Sequence, residues 1–252
     1  MVKIIMHGCN GRMGQMIAGL LKNDEEAQIV AGVDAVDSIS NSFPVFADIG
    51  DCDVEADVVI DFSNAKVADH LLDVCAAKQL PVVLCTTGLS QEQLAHMQEV
   101  SKQVAVLKSA NMSLGINLLM KVLGEVTPVL AAAGFDIEIV EKHHNQKLDA
   151  PSGTALALAD SINEAADNAY TYVYDRSQER RLRDKKELGI SAVRGGTIVG
   201  DHEVIFAGAD EVITFQHTAY SRGVFGKGAI QAAKFLAGKS AGLYDMSDVI
   251  NQ

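Results

Sequence analysis

Gly8-Cys9-Asn10-Gly11-Arg12-Met13-Gly14 follows the short apolar run 2–6 and leads into helically spaced apolar residues over 13–22. A strand, a GxxGxxG turn and a helix in that order read as the start of a dinucleotide-binding unit. Gly8 permits the tight turn, Gly11 lets backbone N–H groups approach a pyrophosphate, and Gly14 lets the helix close on the strand. The helix N-terminus adds partial positive charge. A second apolar run, 29–33, ends at Asp34, 20 residues beyond Gly14. A carboxylate there accepts hydrogen bonds from a ribose diol. The plainer alternative is that Asp34 only starts a surface turn.

Outward from this turn the same rhythm continues. Strands are expected at 58–60, 82–84 and 104–107, and helices at 65–77 and 91–100. Ser90 and Gln93 form a capping-box pattern before the second helix. This alternation predicts a Rossmann-like, doubly wound parallel sheet. Past Asn111 the pattern becomes a long apolar helix, 114–132, a strand at 135–141 and a helix at 154–166. Strands at 190–194, 203–206 and 212–217 follow without helices between them, which predicts a second α+β domain with an open, mostly antiparallel sheet. A last amphipathic helix, 228–236, can return to the first domain. The expected division is residues 1–111 with 223–252 for dinucleotide binding, and 112–222 for substrate binding and oligomerisation.

The 252 residues are 48% hydrophobic and carry a formal net charge of −12, which argues against a nucleic-acid or membrane-surface partner because such binding needs a broad positive field. The one basic stretch, Arg176 to Lys186, is interleaved with Asp175, Glu179, Asp184 and Glu187, and reads as a salt-bridged face. Cys9, Cys52, Cys75 and Cys85 lack zinc-site spacing, so no metal is expected and buried, reduced thiols are. With neither a signal-peptide core nor a run of eighteen apolar residues, the reading places the chain in the cytoplasm.

Two segments stand where such sheets bind ligands: Cys85-Thr86-Thr87-Gly88 and Ser109-Ala110-Asn111-Met112. Their small and hydroxyl side chains leave room for a flat nicotinamide ring. The alternative is a pair of ordinary turns in which Thr87 and Asn111 cap helices. The most unusual segment is Glu141-Lys142-His143-His144-Asn145-Gln146-Lys147-Leu148-Asp149-Ala150-Pro151-Ser152-Gly153-Thr154-Ala155. It gathers two histidines and two lysines in an acidic chain, just before a helix that Ser152 or Thr154 can cap. Cationic donors and a helix N-terminus would converge on a carboxylated ligand. A polar loop feeding a capped helix is the alternative.

The run ExHHxxKxDAPSGTA resembles the signature of the dihydrodipicolinate reductase family. The glycine turn, CTTG, SANMSLGIN, Arg194-Gly195-Gly196 and Ile198-Val199-Gly200 are similar to that family in order and spacing, so the resemblance covers essentially the whole chain. It implies reduction of 4-hydroxy-tetrahydrodipicolinate to tetrahydrodipicolinate with NAD(P)H, in lysine and diaminopimelate biosynthesis, by a homotetramer joined through the second domain's sheet. His143 and Lys147 then become general acid/base residues, His144 a substrate contact, and Gly153 and Thr154 donors to a substrate carboxylate. Thr87 would touch substrate or nicotinamide. The cofactor would lie along Gly8, Cys9, Asn10, Gly11, Arg12, Met13, Asp34, Cys85, Thr86, Thr87, Ser109, Ala110, Asn111 and Met112. Asn145 and Gln146 stand where some relatives carry basic residues, which weakens the local positive field. NADH is the expected cofactor, with NADPH possible, because Asp34 is followed by Ala35 and Val36 and only Arg12 is at hand to meet a 2′-phosphate. Two other readings are a non-catalytic NAD(H)-binding redox sensor and another two-domain dehydrogenase. A sensor needs no proton donor, and the other dehydrogenases would lack the His143 to Ala155 run.

Overall fold

The computed structural model describes residues 1–36 and 39–251 of the chain. They form two compact units, one of Met1–Ser113 with Gly223–Gln252 and one of Leu114–Arg222.

In the first unit, strands β1 (Val2–His7), β2 (Ala27–Val33), β3 (Val45–Phe46), β4 (Val58–Asp61), β5 (Val82–Leu84), β6 (Ala105–Leu107) and β12 (Gly242–Tyr244) form a seven-stranded sheet in the order β12-β6-β5-β4-β1-β2-β3. Every ladder in it is parallel. Alternate side chains enter two separate cores. Ile4, Met6, Ile60, Val83 and Leu107 face one, with Ile17 of α1 (Arg12–Leu21) and Ala229, Ala232, Ala233 and Leu236 of α6 (Gly223–Leu236). Ile5, Val59, Val82, Leu84 and Val106 face the other, with residues of α2 (Ala68–Lys78) and α3 (Gln91–Ser101). Burial on both faces is why these strands read as unbroken apolar runs.

Strand order reverses at β1, whose neighbours are β2 and β4. Chains leaving the carboxyl ends of β1 and β4 therefore diverge, opening the crevice where such sheets bind ligands. The two-residue β3, the short β12 and the last helix, α7 (Met246–Ile250), were not anticipated from sequence. They are too short to show a period. The expected helix 65–77 begins instead with a 3-10 turn, Ala65–Val67, capped by Asn64, and α6 starts five residues earlier than expected.

The second unit contains α4 (Leu114–Ala132), β7 (Asp136–His143), α5 (Gly153–Ala165), β8 (Thr171–Val173), β9 (Glu187–Arg194), β10 (Gly200–Ala207) and β11 (Val212–Ala219). Its five-stranded sheet has the order β11-β10-β7-β9-β8 and is mixed rather than mostly antiparallel. The β10–β11 and β10–β7 ladders are antiparallel, and the β7–β9 and β8–β9 ladders are parallel. The helix α5 between β7 and β9 makes a crossover that returns the chain in the same direction. Strand β7 also intervenes between β9 and β10, so those consecutive strands never pair. On one sheet face Ile137, Ile139, Leu188, Ile190, Val204 and Phe206 pack against Leu123 of α4 and the α5 stripe Ala155, Leu158, Ala159 and Ile162. That i, i+3, i+4, i+7 spacing marks a helix with one buried face.

The stretch 176–186 is laced with ion pairs. Arg176 reaches Glu138 and Glu187, Arg181 reaches Glu179 and Glu187, and Arg183 reaches Asp136 and Glu138. All four cysteines are buried thiols.

Candidate functional site

At the switch point of the first unit, Gly8 leaves β1 with φ +80°, and its amide bonds the Val33 carbonyl at 2.8 Å. A Cβ at Gly8 would lie 2.7 Å from the Phe62 carbonyl oxygen, and one at Gly14 would lie 2.3 Å from the Gly8 carbonyl oxygen. Gly14 thus admits the first turn of α1 onto the glycine loop itself. Helix α1 is capped by Gly11, whose lack of a side chain leaves the first-turn amides uncapped. Asp34, at the end of β2, accepts the Asn10 amide at 3.0 Å and the Val36 amide at 3.3 Å. A cleft of about 280 Å³ runs along His7, Gly8, Gly11, Asp34, Phe62 and Ser63. A side-chain-free cradle, open helix amides and a carboxylate at the β2 end fit a dinucleotide.

Arg12 is exposed, whereas Cys9 and Met112 are buried with their side chains in the apolar core. Any part that Cys9 or Met112 plays toward a cofactor therefore rests on backbone. Thr86 is buried and accepts Lys108 Nζ on its carbonyl at 2.9 Å; Thr87 and Ala110 are exposed, and Asn111 accepts the Ser113 amide at 2.8 Å. Burial drives the Cys85 thiol far above its ordinary value, so it stays protonated.

Sequence reasoning missed a buried pair in this unit. His7 Nδ1 meets Asp61 Oδ1 at 2.8 Å, and Ser63 donates to the same oxygen through its amide and hydroxyl. Burial pushes the Asp61 carboxyl up, but His7 and Ser63 outweigh it and hold it below the usual range. The signal available was Asp61 at the end of the apolar run 58–60, with Ser63 two residues on.

In the second unit, β7 alternation turns Glu141 and His143 toward the helices. Glu141 is 0% exposed and His143 8%. Glu141 Oε2 contacts His143 Nδ1 at 2.6 Å. Arg194 forks onto both oxygens at 2.7 Å each, and the Ser152 amide reaches Oε1 at 2.9 Å. Ser152 Oγ caps α5 through the Ala155 amide and lies 3.2 Å from His202 Nε2. His202 packs edge-on against His143, with ring centroids 5.1 Å apart. Gly153 and Thr154 form the first residues of α5. Lys147 pairs with Asp149 at 2.9 Å, and His144 Nδ1 is buried without a hydrogen-bond partner.

Burial pulls His143 below its ordinary value, by more than Glu141 lifts it, and nearby Lys147 and Arg194 pull the same way. Burial pushes Glu141 up, but Arg194, His143 and Ser152 outweigh it and keep it ionised. Burial next to His143 drives His202 down to about 4. At neutral pH the site therefore holds a neutral histidine pair on an ionised, arginine-bound glutamate. Glu141, Ser152 and His202 were not singled out as site residues from sequence. His202 lies 59 residues from His143, and only strand pairing brings them together.

Models of dihydrodipicolinate reductase match the chain across both units, the N-terminal one over residues 2–112 and the C-terminal one over 115–250. The chain belongs to the dihydrodipicolinate reductase family. A 4-hydroxy-tetrahydrodipicolinate reductase of Caldanaerobacter subterraneus is 52% identical over 252 residues, covering 100% of this chain and 99% of the relative. One from Clostridium novyi is 51% identical over 250 residues, covering 99% and 98%. The dipicolinate-bound dihydrodipicolinate reductase of Paenisporosarcina sp. TG-14 superposes with a TM-score of 0.79 at 25% identity, over 97% of each chain. Membership in this reductase family makes the chain an oxidoreductase that works with a pyridine nucleotide.

Proposed function

We propose that this member of the reductase family reduces 4-hydroxy-tetrahydrodipicolinate to tetrahydrodipicolinate in lysine and diaminopimelate biosynthesis, taking the hydride from NADH in preference to NADPH. The observation that carries it is the His143, Glu141, Arg194 and Ser152 cluster at the α5 N-terminus, which the sensor reading leaves without a use. When bound, the nicotinamide supplies a hydride from its C4. Loss of water from the substrate gives a conjugated imine, and hydride addition leaves negative charge that one proton quenches.

Gly153 and Thr154 at the α5 N-terminus, with His144, receive the substrate carboxylates, and Thr87 lies toward substrate or nicotinamide. His143 and Lys147 are the proton-transfer residues. His143 is neutral before substrate arrives, and the negative charge of a bound dicarboxylate favours its protonated form. A proton taken up on binding is then in place for delivery.

Cofactor selection rests on Asp34, whose charge opposes a 2′-phosphate while Arg12 alone offsets it; NADH is favoured by roughly tenfold, about 1.4 kcal/mol. The edge position of strand β11, with Val212 63% exposed, supports a homotetramer joined through the second unit's sheet. The deciding experiment is loss of reduced-cofactor absorbance on adding freshly generated hydroxy-tetrahydrodipicolinate, with NADH and NADPH compared at one salt concentration. Absence of turnover with either cofactor would refute the reading, and a clear NADPH preference would refute the role given to Asp34.

A further inference from the structure

We propose that Glu141 is a positioning residue that fixes the protonation geometry of His143, holding the imidazole with its proton on Nδ1 so that Nε2 is the nitrogen presented to substrate. This rests on the reading of His143 as a proton-transfer residue. An ionised carboxylate offers about four lone-pair sites and donates nothing. All four on Glu141 are matched: Arg194 Nη2 and the Ser152 amide on Oε1, and Arg194 Nη1 and His143 Nδ1 on Oε2. His143 can take its place only as a donor, so a neutral imidazole there is the Nδ1–H tautomer.

Arg194 matters as much as Glu141. A buried carboxylate facing a lone histidine would tend to draw a second proton onto the ring. Here the guanidinium already balances the charge, so the glutamate orients His143 without forcing it to be cationic. The groups that face His143 are Glu141 on β7, Lys147 beyond it, Arg194 on β9 and His202 on β10. The rest of the cradle agrees. The His202 edge fixes the ring plane at 76°, and Gly200 offers no side chain where a Cβ would stand 3.3 Å from His143 Nε2. Strand pairing sets the Arg194 and His202 contacts, because His143 lies opposite Arg194 and Glu141 opposite His202, and the α5 N-cap supplies Ser152.

The test compares Glu141→Gln, His143→Gln and the variant carrying both, by steady-state kinetics from pH 5 to 9, with the His143 ring followed by nitrogen-15 imidazole spectra. Glu141→Gln should lower kcat by about 10- to 100-fold with cofactor KM unchanged and move the His143 titration to lower pH. Combined with His143→Gln it should add less than about twofold, because both act through one ring. The spectra should show Nδ1–H in the parent protein and a share of Nε2–H in the variant. Because an amide at 141 turns a donor toward Arg194, Glu141→Gln with Arg194→Met removes both charges together and gives a second route to the same spectra. Unchanged kcat in Glu141→Gln, fully multiplicative losses, or an unaltered tautomer in both backgrounds would each overturn the proposal. Full turnover in His143→Gln would instead remove the proton-transfer reading, while the spectra still report whether Glu141 sets the ring.

Discussion

At the scale of single residues, the two proton-transfer candidates differ in how they are held. His143 is locked by Glu141 and His202, whereas the Lys147 ammonium, among the described residues, pairs with the half-exposed Asp149 at 2.9 Å. Either His143→Ala or Lys147→Ala should cut kcat by about 100-fold or more, the usual worth of a positioned acid or base, and leave NADH affinity near that of the parent. Steady-state rates with NADH titration measure both, and a variant with full turnover loses its assignment. Asp34 acts elsewhere, through charge. Asp34→Asn keeps an acceptor for the Asn10 amide but removes the repulsion toward a 2′-phosphate, so the ratio of kcat/KM for NADPH over NADH should rise by about fivefold to tenfold. An unchanged ratio would assign the selection to Arg12 or to another group.

Whole elements set the conditions in which those residues act. Helix α1 reaches the glycine loop only because position 14 has no side chain, and the atoms a Cβ would meet are backbone atoms of Gly8 and Cys9 that cannot swing aside. Gly14→Ala should therefore weaken NADH binding by more than about tenfold and lower the melting temperature, with a cost of about 1–3 kcal/mol. Fluorescence titration and thermal melts report the two effects, and a variant matching the parent in both would show that the loop can shift. Strand β10 contributes to the pH dependence of stability through His202. His202 has a folded pKa of about 4 against an ordinary 6.5, so between those values the unfolded chain binds the extra proton. Its contribution is fully present above pH 6.5 and is lost as pH falls toward 4, amounting to about 3 kcal/mol. Denaturant midpoints between pH 7 and 4 should fall less steeply in His202→Asn than in the parent, and parallel curves would contradict this.

For the whole molecule, the expected homotetramer is a statement about mass. Sedimentation equilibrium should give about four times the 26.8 kDa chain at micromolar concentration, and a stable monomer would remove the sheet-mediated assembly. By itself the sequence determined the main parallel strands and helices of the first unit, because a strand buried on both faces is a continuous apolar run and the glycine turn 8–14 is a local string. It also determined where His143, Lys147, Gly153 and Thr154 lie, since they fall within one short segment between a strand and a capped helix. Only the tertiary structure decided the rest. The parallel pairing of β7 with β9 depends on the α5 crossover, which no strand's own periodicity encodes. That pairing sets Arg194 beside His143 and, with β10, brings His202 and Glu141 together across dozens of residues. A buried ionised glutamate is stable only where all its partners converge, and convergence is a property of the folded sheet rather than of any stretch of chain.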